Sequence, residues 1–454
     1  MKIDIPPSDR FDVIIVGAGV AGITCARKLA DEWPEKRIVV LEASDRVGGQ
    51  VWTTSLSGVP IDLGASLVYD FHNRSPLYTL TRSVSYELTD AKEFHSDTQP
   101  NDGLYEAFKA RVSEARQEIF DGEGEDVALG ILVDRVLDEG EYGDEQRADI
   151  QARYYADTEV IHGVACDKLS SLHFDDVNVD ITGGVVASIG GGMWNLFEPL
   201  SRNLDIRRGH QVVRVEKMQG SDNVRVAVDI KGGSSGAGSR RYMNAEQVVL
   251  SVPPSMHGAA STNTDNRSLP IILSPPVPPR LSEPLSKISF GHHIRVASAW
   301  PSGSVSKLLK TSEPGKSSWI HPRGPSIVSK YRVTSLNLGG SPVDVVVAFL
   351  AAEAAKSVME KSDAVITGLL LDDLKNLFPT LVKPSDVLVA RWPHSTPFLP
   401  PKTTPLDIDK LSRPVGDWLF LAGSWTSDEY FGTLQGAYES GGRVAGQVAD
   451  RWMA

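Results

Sequence analysis

The stretch FDVIIVGAGVAGITCARKLADEWPEKRIVVLEASDRVGGQ, residues 11–50, constrains the fold of this chain more than any other. Val13–Val16 is a short apolar run, as expected of a parallel strand buried on both faces. Gly17, Gly19 and Gly22 then complete GxGxxG, and Ile23–Ala30 reads as a helix with small residues where it meets the strand. Arg37–Leu41 reads as a second strand that ends at Glu42, twenty residues past Gly22. Strand, glycines, helix, strand and acid form a βαβ unit for a dinucleotide. Gly17 makes the tight turn, Gly19 lets the backbone approach a pyrophosphate, and Gly22 permits close helix packing. The helix N-terminus offers its free N–H groups to the phosphates. Glu42 is suited to accept hydrogen bonds from both ribose hydroxyls of an adenosine, and it disfavours a 2′-phosphate.

Length and charge set the limits around this unit. A chain of 454 residues suits two or three domains. Its net charge of -12 argues against nucleic acid, which needs clustered Lys and Arg. Cys25 and Cys166 are too few for a disulfide framework. The ten histidines show no ligand spacing beyond the adjacent pair His292–His293, so no metal site is expected. The N-terminus lacks the basic start and separate apolar run of a signal peptide. No run approaches the ~20 apolar residues of a membrane-spanning helix. The expectation is a soluble, cytoplasmic chain with no transmembrane anchor.

After the βαβ unit come ASDRVGGQ (43–50) and IDLGAS (61–66), and here the chain resembles the flavin-containing amine oxidase superfamily. That superfamily holds the monoamine, polyamine and L-amino-acid oxidases. Its pattern LEA…R.GGR, then D.GA, is matched by Leu41, Glu42, Ala43, Arg46, Gly48, Gly49, Asp62, Gly64 and Ala65. Gln50 stands where the family usually has arginine, so a neutral contact replaces a charged one near the phosphates. The closing motif AGE.T…G…GA..SG.RAA is matched in 418–447, WLFLAGSWTSDEYFGTLQGAYESGGRVAGQ, with Ser424 at the acidic position. A helix opening near Thr433 would aim its N-terminus at the pyrimidine end of a flavin.

The resemblance runs nearly the whole chain in order. It implies an α/β fold: a Rossmann-type FAD-binding domain (GR2, monoamine oxidase-like) plus an α+β substrate-binding domain, discontinuous in sequence. The FAD-binding segments are expected at 1–85, 201–270 and 401–454, and the substrate segments at 86–200 and 271–400. Residues 101–157 read as surface helices with a solvated acidic face. KGGSSGAGSRR, 231–241, reads as a hairpin tip or loop. Trp194 fits either the substrate cavity or the core. FAD is the implied cofactor. Its implied contacts are Gly17, Gly19, Gly22, Glu42, Arg46, Gly48, Gly49, Gln50, Gly64, Ala65, Ser66, Val212, His394, Gly423, Ser424 and Leu434.

The departures from the family bear on chemistry. Many members carry a lysine, water-bridged to flavin N5, on a strand matched by FGHHIRV (290–296), and Arg295 falls at that place. Arginine stays protonated and is a poor proton acceptor. It suits a positive charge near flavin, an anionic substrate, or an ion pair within the sheet. Amine-selective members stack two aromatics at positions that fall on Ser395 and Thr433. Phe398, Trp392, Trp425 or Tyr430 would have to rebuild that cage. In RWPHSTPFLPP, 391–401, counting back from the paired prolines puts His394 where monoamine oxidases bond a cysteine to the flavin 8α carbon. Imidazole is also competent for such a link, and the other reading is that this segment lines a noncovalent site.

The implied activity is that of an FAD-dependent oxidoreductase. It removes a hydride from a C–N or activated C–H bond of a small molecule, with oxygen or another electron acceptor closing the cycle. Arg295, Trp392 and Thr433 are the candidate catalytic residues. An ordinary amine or L-amino-acid oxidase competes with an oxidase or oxidocyclase of amino-acid- or indole-derived compounds in specialised metabolism. A flavin-containing interaction protein is the different-class alternative, and no long helical insertion or basic run supports it.

Overall fold

The computed structural model describes residues 6–69, 71–90, 102–173, 185–232, 238–256, 271–305, 317–322, 326–336 and 343–453. Of the loop expected at 231–241, residues 233–237 lie outside the described residues.

An eight-stranded sheet carries the βαβ unit. Arg10–Val16 pairs in parallel with Ile38–Leu41 on one side and with Ser239–Leu250 on the other. Ile206–Arg207 extends the first edge, and Leu419–Leu421 pairs in parallel with Ser239–Leu250. The antiparallel strands Val224–Ile230 and His210–Lys217 follow on the other side. Both faces of the central strand are covered, because successive side chains point to opposite faces. Ile14 and Val16 pack with Val39, Leu41, Val248 and Leu250 in one core. Val13 and Ile15 pack with Val40, Val249 and Phe420 in another, beneath the helices Val20–Glu32 and Leu434–Met453. Each such fully buried Val or Ile contributes about 1.5–3 kcal/mol. Glycine sets the spacing of those two helices, since a Cβ on Gly441 would overlap the Ala21 carbonyl oxygen.

The second sheet has five antiparallel strands in the order Ser317–Ile320, Lys330–Leu336, Val343–Ala351, His293–Pro301 and Asp386–Trp392. On one face Ile294, Val296 and Val346 meet Ile366, Leu370 and Leu374 of the helix Asp363–Leu377. On the other face Ala297, Ala299, Val347 and Phe349 form a smaller core with Trp319 and Ala390.

Two expectations change. The helices Asp102–Glu118, Leu129–Glu139 and Asp144–His162 are not merely a solvated acidic face. Tyr105, Phe108, Val112, Leu132, Val133 and Val136 are buried in a core of their own, because apolar residues recur at helical spacing among the charges. The boundary expected at 270/271 also falls later. Ile272–Ser274 pairs with the first sheet, and Leu281 and Leu285 of the helix Pro279–Lys287 enter its core.

Two contacts at one turn tie the helical layer to the second sheet. Asp144–His162 ends at Gly163, in the left-handed conformation with φ 69°. The Gly163 carbonyl accepts from His292 N–H at 2.7 Å, and a Cβ on Gly163 would come within 2.6 Å of the His293 ring. His293 is thereby fixed at the start of its strand.

Candidate functional site

A cavity of about 470 Å³ runs from the glycine motif to the second sheet. At one end its wall is backbone. The loops at Gly17–Val20 and Gly48–Gly49 lie edge to edge through a bridge between Gly19 and Gly48. A Cβ on Gly49 would come within 2.9 Å of Gly19 Cα, so only glycine permits this approach. The helix Val20–Glu32 begins here with Gly19 as N-cap, no side-chain cap and no acid in its first turn. Its N–H groups therefore face the cavity without a competing acceptor, which fits a pyrophosphate. The Glu42 carboxylate accepts from Ala18 N–H and Ser44 N–H, both at 2.8 Å, and holds the turn.

In the cavity wall Arg46 lies beside an edge-to-face pair of indoles, 5.0 Å from the Trp52 ring and 5.4 Å from the Trp392 ring, which are 6.2 Å apart. It also donates to the Gly49 carbonyl at 2.6 Å, and burial lowers its pKa. Trp392 is held by an N–H bond to the Leu63 carbonyl at 2.8 Å. Gln50 donates to the carbonyls of Ser395 at 2.6 Å and His394 at 3.1 Å. Where the family has a charged arginine, this chain ties the 392–396 segment to the glycine loop through a neutral amide.

At the far end stand Arg295, Tyr69, His293, His394, Ser395 and Thr433. Arg295 donates to the Gly64 carbonyl and lies 4.9 Å over the Phe349 ring. Burial first, then the neighbouring Arg332 guanidinium, pushes its pKa down to about 10. Its Nε is buried with no hydrogen-bond partner among the described residues. His394 Nδ1 meets Ser255 Oγ at 3.1 Å, and burial pushes its pKa down to about 4. The Thr433 hydroxyl donates to the Tyr430 carbonyl at 2.8 Å and accepts from Gly436 N–H at 3.1 Å. It is thus engaged in opening the helix Leu434–Met453.

Of the residues singled out from sequence, Gly22 and Val212 do not line the cavity. Gly22 faces inward, where a Cβ would overlap the Gly17 carbonyl oxygen, and the Val212 side chain is core. Trp194 also belongs to packing, 3.2 Å from where a Gly48 Cβ would stand. Among the aromatics considered for a cage, Trp392 and Trp425 line the cavity. Phe398 and Tyr430 do not, and Phe398 is buried in the helical core. Sequence reasoning missed Tyr69 and the pairing of His293 with Ser395. The adjacency of Tyr69 to IDLGAS was the available signal for the first.

Among the described residues no group of three or more His, Cys, Asp or Glu is placed to hold a metal ion. No helix there is long and apolar enough to cross a membrane.

A family model described as flavin containing amine oxidoreductase matches residues 20–449. Polyamine oxidase 4 of Oryza sativa subsp. japonica is 25% identical over 480 residues, covering 98% of this chain and 89% of its own. Lysine-specific histone demethylase 1 homolog 2 of Arabidopsis thaliana is 25% identical over 467 residues, and the match spans 96% of this chain but 58% of that protein. Cyclohexylamine oxidase from Brevibacterium oxydans superposes with a TM-score of 0.68 at 18% identity, covering 98% of this chain and 100% of that one. Putrescine oxidase bound to putrescine superposes with a TM-score of 0.70 at 18% identity, covering 97% and 99%. With nearly its full length matched by that model, the chain belongs to the flavin-containing amine oxidoreductase family and is an FAD-dependent oxidoreductase.

Proposed function

We propose that this oxidoreductase acts on a small anionic molecule, derived from an amino acid or an indole, at a C–N or activated C–H bond. Oxidative cyclisation in specialised metabolism is the form we favour, of the kind carried out by the fungal oxidocyclase of cyclopiazonic acid. The carrying observation is Arg295 at the far end of the cavity, where a lysine is usual, with Ser395 and Thr433 in place of an aromatic pair. FAD supplies a two-electron acceptor for the hydride that leaves the substrate, and oxygen or another acceptor restores it.

The chain's own residues set the remaining chemistry. The glycine loops and the helix N-terminus at Val20 would hold the pyrophosphate, and Glu42 the ribose. Gly64, Ala65, Ser66, Gly423, Ser424 and Leu434 line the same cavity and would wall the ring end. Arg295 remains charged at neutral pH, so it attracts an anion and takes up no proton. His293 Nε2 lies 2.9 Å from the Val160 carbonyl, an obligate acceptor, so Nε2 carries the proton. Its Nδ1 therefore accepts from the Ser395 hydroxyl at 2.6 Å. Ser395 Oγ is left to accept from a substrate N–H or O–H. His394 is the candidate for a covalent link to FAD.

The second reading is ordinary amine oxidation to an imine and hydrogen peroxide. It is favoured by the polyamine and putrescine oxidases among the relatives. One experiment separates the two: peroxide release and anaerobic flavin bleaching across a panel of amines and of amino-acid- and indole-derived carboxylates. Turnover confined to the carboxylates supports the first reading. Turnover of putrescine or spermidine alone overturns it. Acid precipitation of the same protein tests the link, since yellow colour left in solution rejects His394 as the anchor.

A further inference from the structure

The second sheet carries a charge imbalance beside the cavity. Arg295 lies opposite Phe349, and Phe349 lies opposite Lys330. Two residues along, Ala297 lies opposite Val347, and Val347 lies opposite Arg332. Directly paired residues share a face, so Arg295, Lys330 and Arg332 project from the same face of the sheet, from two strands separated by Val343–Ala351. Lys330 is matched, with Asp157 at 2.7 Å. Among the described residues, neither Arg295 nor Arg332 forms an ion pair.

Among the described residues, the surroundings of the two guanidinium groups are short of negative charge. Arg295 and Arg332 rest over Phe349 and Trp319, at 4.9 and 5.9 Å. Burial lowers the pKa of both, and Arg332 is the first electrostatic neighbour that lowers Arg295 further. Asp62 is the carboxylate near both. It already accepts from Thr53 Oγ1 at 2.5 Å and from Met193 N–H at 3.0 Å. Tyr69 also stands near both, and burial raises its pKa, so its hydroxyl is neutral at ordinary pH. Among the described residues two buried cations thus share one carboxylate, and a buried charge without a partner is costly. An anion between them would restore the balance.

We propose that Arg295 and Arg332, with the Tyr69 hydroxyl beside them, form a two-guanidinium subsite for the carboxylate of the substrate. It rests on the anionic-substrate reading and adds the residue that reading lacked. Planar guanidinium forks match a carboxylate in geometry as well as charge. Arg295 and Tyr69 line the cavity and Arg332 stands beside them outside its lining, so the anionic end of the molecule lies against the sheet at that wall and the remainder of the cavity is left for the bond to be oxidised.

The test uses the full-length, FAD-loaded protein and two probes of like size and opposite charge, benzoate and benzylamine, with inorganic phosphate as a third. Binding is read by calorimetry and by displacement of the flavin visible band. Benzoate is expected to bind saturably and to perturb the band, with benzylamine and phosphate binding far more weakly. Arg332→Gln is expected to weaken benzoate by about 10- to 100-fold, and Arg332→Lys to recover part of that loss. Both variants should keep the flavin, and Arg332→Gln should melt no lower than wild type, since it removes one of the two unbalanced charges. Unchanged benzoate affinity in Arg332→Gln overturns the subsite, as does tighter binding of benzylamine than benzoate. Phosphate displacing benzoate at equal concentration would reduce it to a general anion site and overturns it as well. If benzoate binds through Arg332 but carboxylates are never oxidised, the functional reading fails while the subsite stands.

Discussion

The Ser395 hydroxyl donates to His293 Nδ1 across 2.6 Å, and the opposite ring nitrogen is committed to the Val160 carbonyl at 2.9 Å. The serine thus faces the cavity with its proton already spent. Burial, reinforced by Arg295, pushes the His293 pKa down to about 3, so the ring is neutral and the pairing is kept at neutral pH. Replacing Ser395 by Ala removes an acceptor worth about 0.5–1.5 kcal/mol. We expect kcat/KM to fall roughly 3- to 10-fold with FAD retained, and Ser395→Thr to recover most of it. The pH profile gives an independent check. No limb near pH 6.5 should belong to His293, and a limb there that vanishes in His293→Gln would show that the imidazole titrates in catalysis.

Arg46 ties the glycine loop to the Trp52–Trp392 pair, its guanidinium against both rings while it bonds the Gly49 carbonyl. Lysine keeps the charge but not the planar stack. Each cation–π contact is worth about 0.5–2 kcal/mol. Arg46→Lys is therefore expected to weaken FAD retention by about 10-fold, measured as flavin released on dilution. Equal retention by Arg46→Lys and wild type would leave the stack without a role at the cofactor.

Much of the first sheet was legible because its signals are local. Val13–Val16, the three glycines and Glu42 lie within a short span and obey one geometry. The far end of the cavity was legible only in part, because it is assembled across distant segments. Arg332 sits in KYRVTSL, an ordinary alternating strand, and nothing in it marks a partner 37 positions earlier in the chain at Arg295. Only the register through Val347 and Phe349 brings the two together. His293 was visible as half of an adjacent pair, but its role depends on the turn at Gly163 and on Ser395, over 100 residues away. Thr433 shows the converse: its place in the closing motif was readable, and its engagement as a helix opener was not.

Stability should fall on acidification before the carboxylates titrate. His162 and His293 are buried, and burial pushes their pKa values down to about 4 and about 3. A histidine whose folded pKa lies below its unfolded value stabilises the protein above the unfolded pKa, near 6.5, and loses that contribution as pH falls toward the folded value. The His162 contribution is on the order of 3 kcal/mol. Glu159 has the opposite sign. Burial raises its pKa to about 7, so its contribution is complete below about 4.5 and lost as pH rises through 7. Thermal melts from pH 4 to 9 should show a decline below about pH 6.5, and Glu159→Gln should raise the melting temperature at pH 8 but not at pH 4.5. A wild-type melting temperature flat from pH 6.5 to 4.5 would contradict the histidine assignment.

Two glycines in helices of the same layer should respond in opposite directions to alanine. Gly22 lies where Val20–Glu32 meets its strand, and a Cβ there would overlap the Gly17 carbonyl oxygen and stand 2.6 Å from Ser251 Oγ. That carbonyl belongs to the turn that shapes the phosphate loop, so relief must displace the loop. Gly22→Ala is expected to cost about 3 kcal/mol in urea unfolding and to release FAD. Gly446 is exposed within Leu434–Met453, and a Cβ there meets nothing within 4 Å. Gly446→Ala gives up only unfolded-state freedom and should add about 0.5–1 kcal/mol with FAD content unchanged. If both variants unfold at the same urea concentration as wild type, the close approach at Gly22 is not what fixes the loop. FAD loss without a stability change at Gly22 would place its effect on the loop conformation alone.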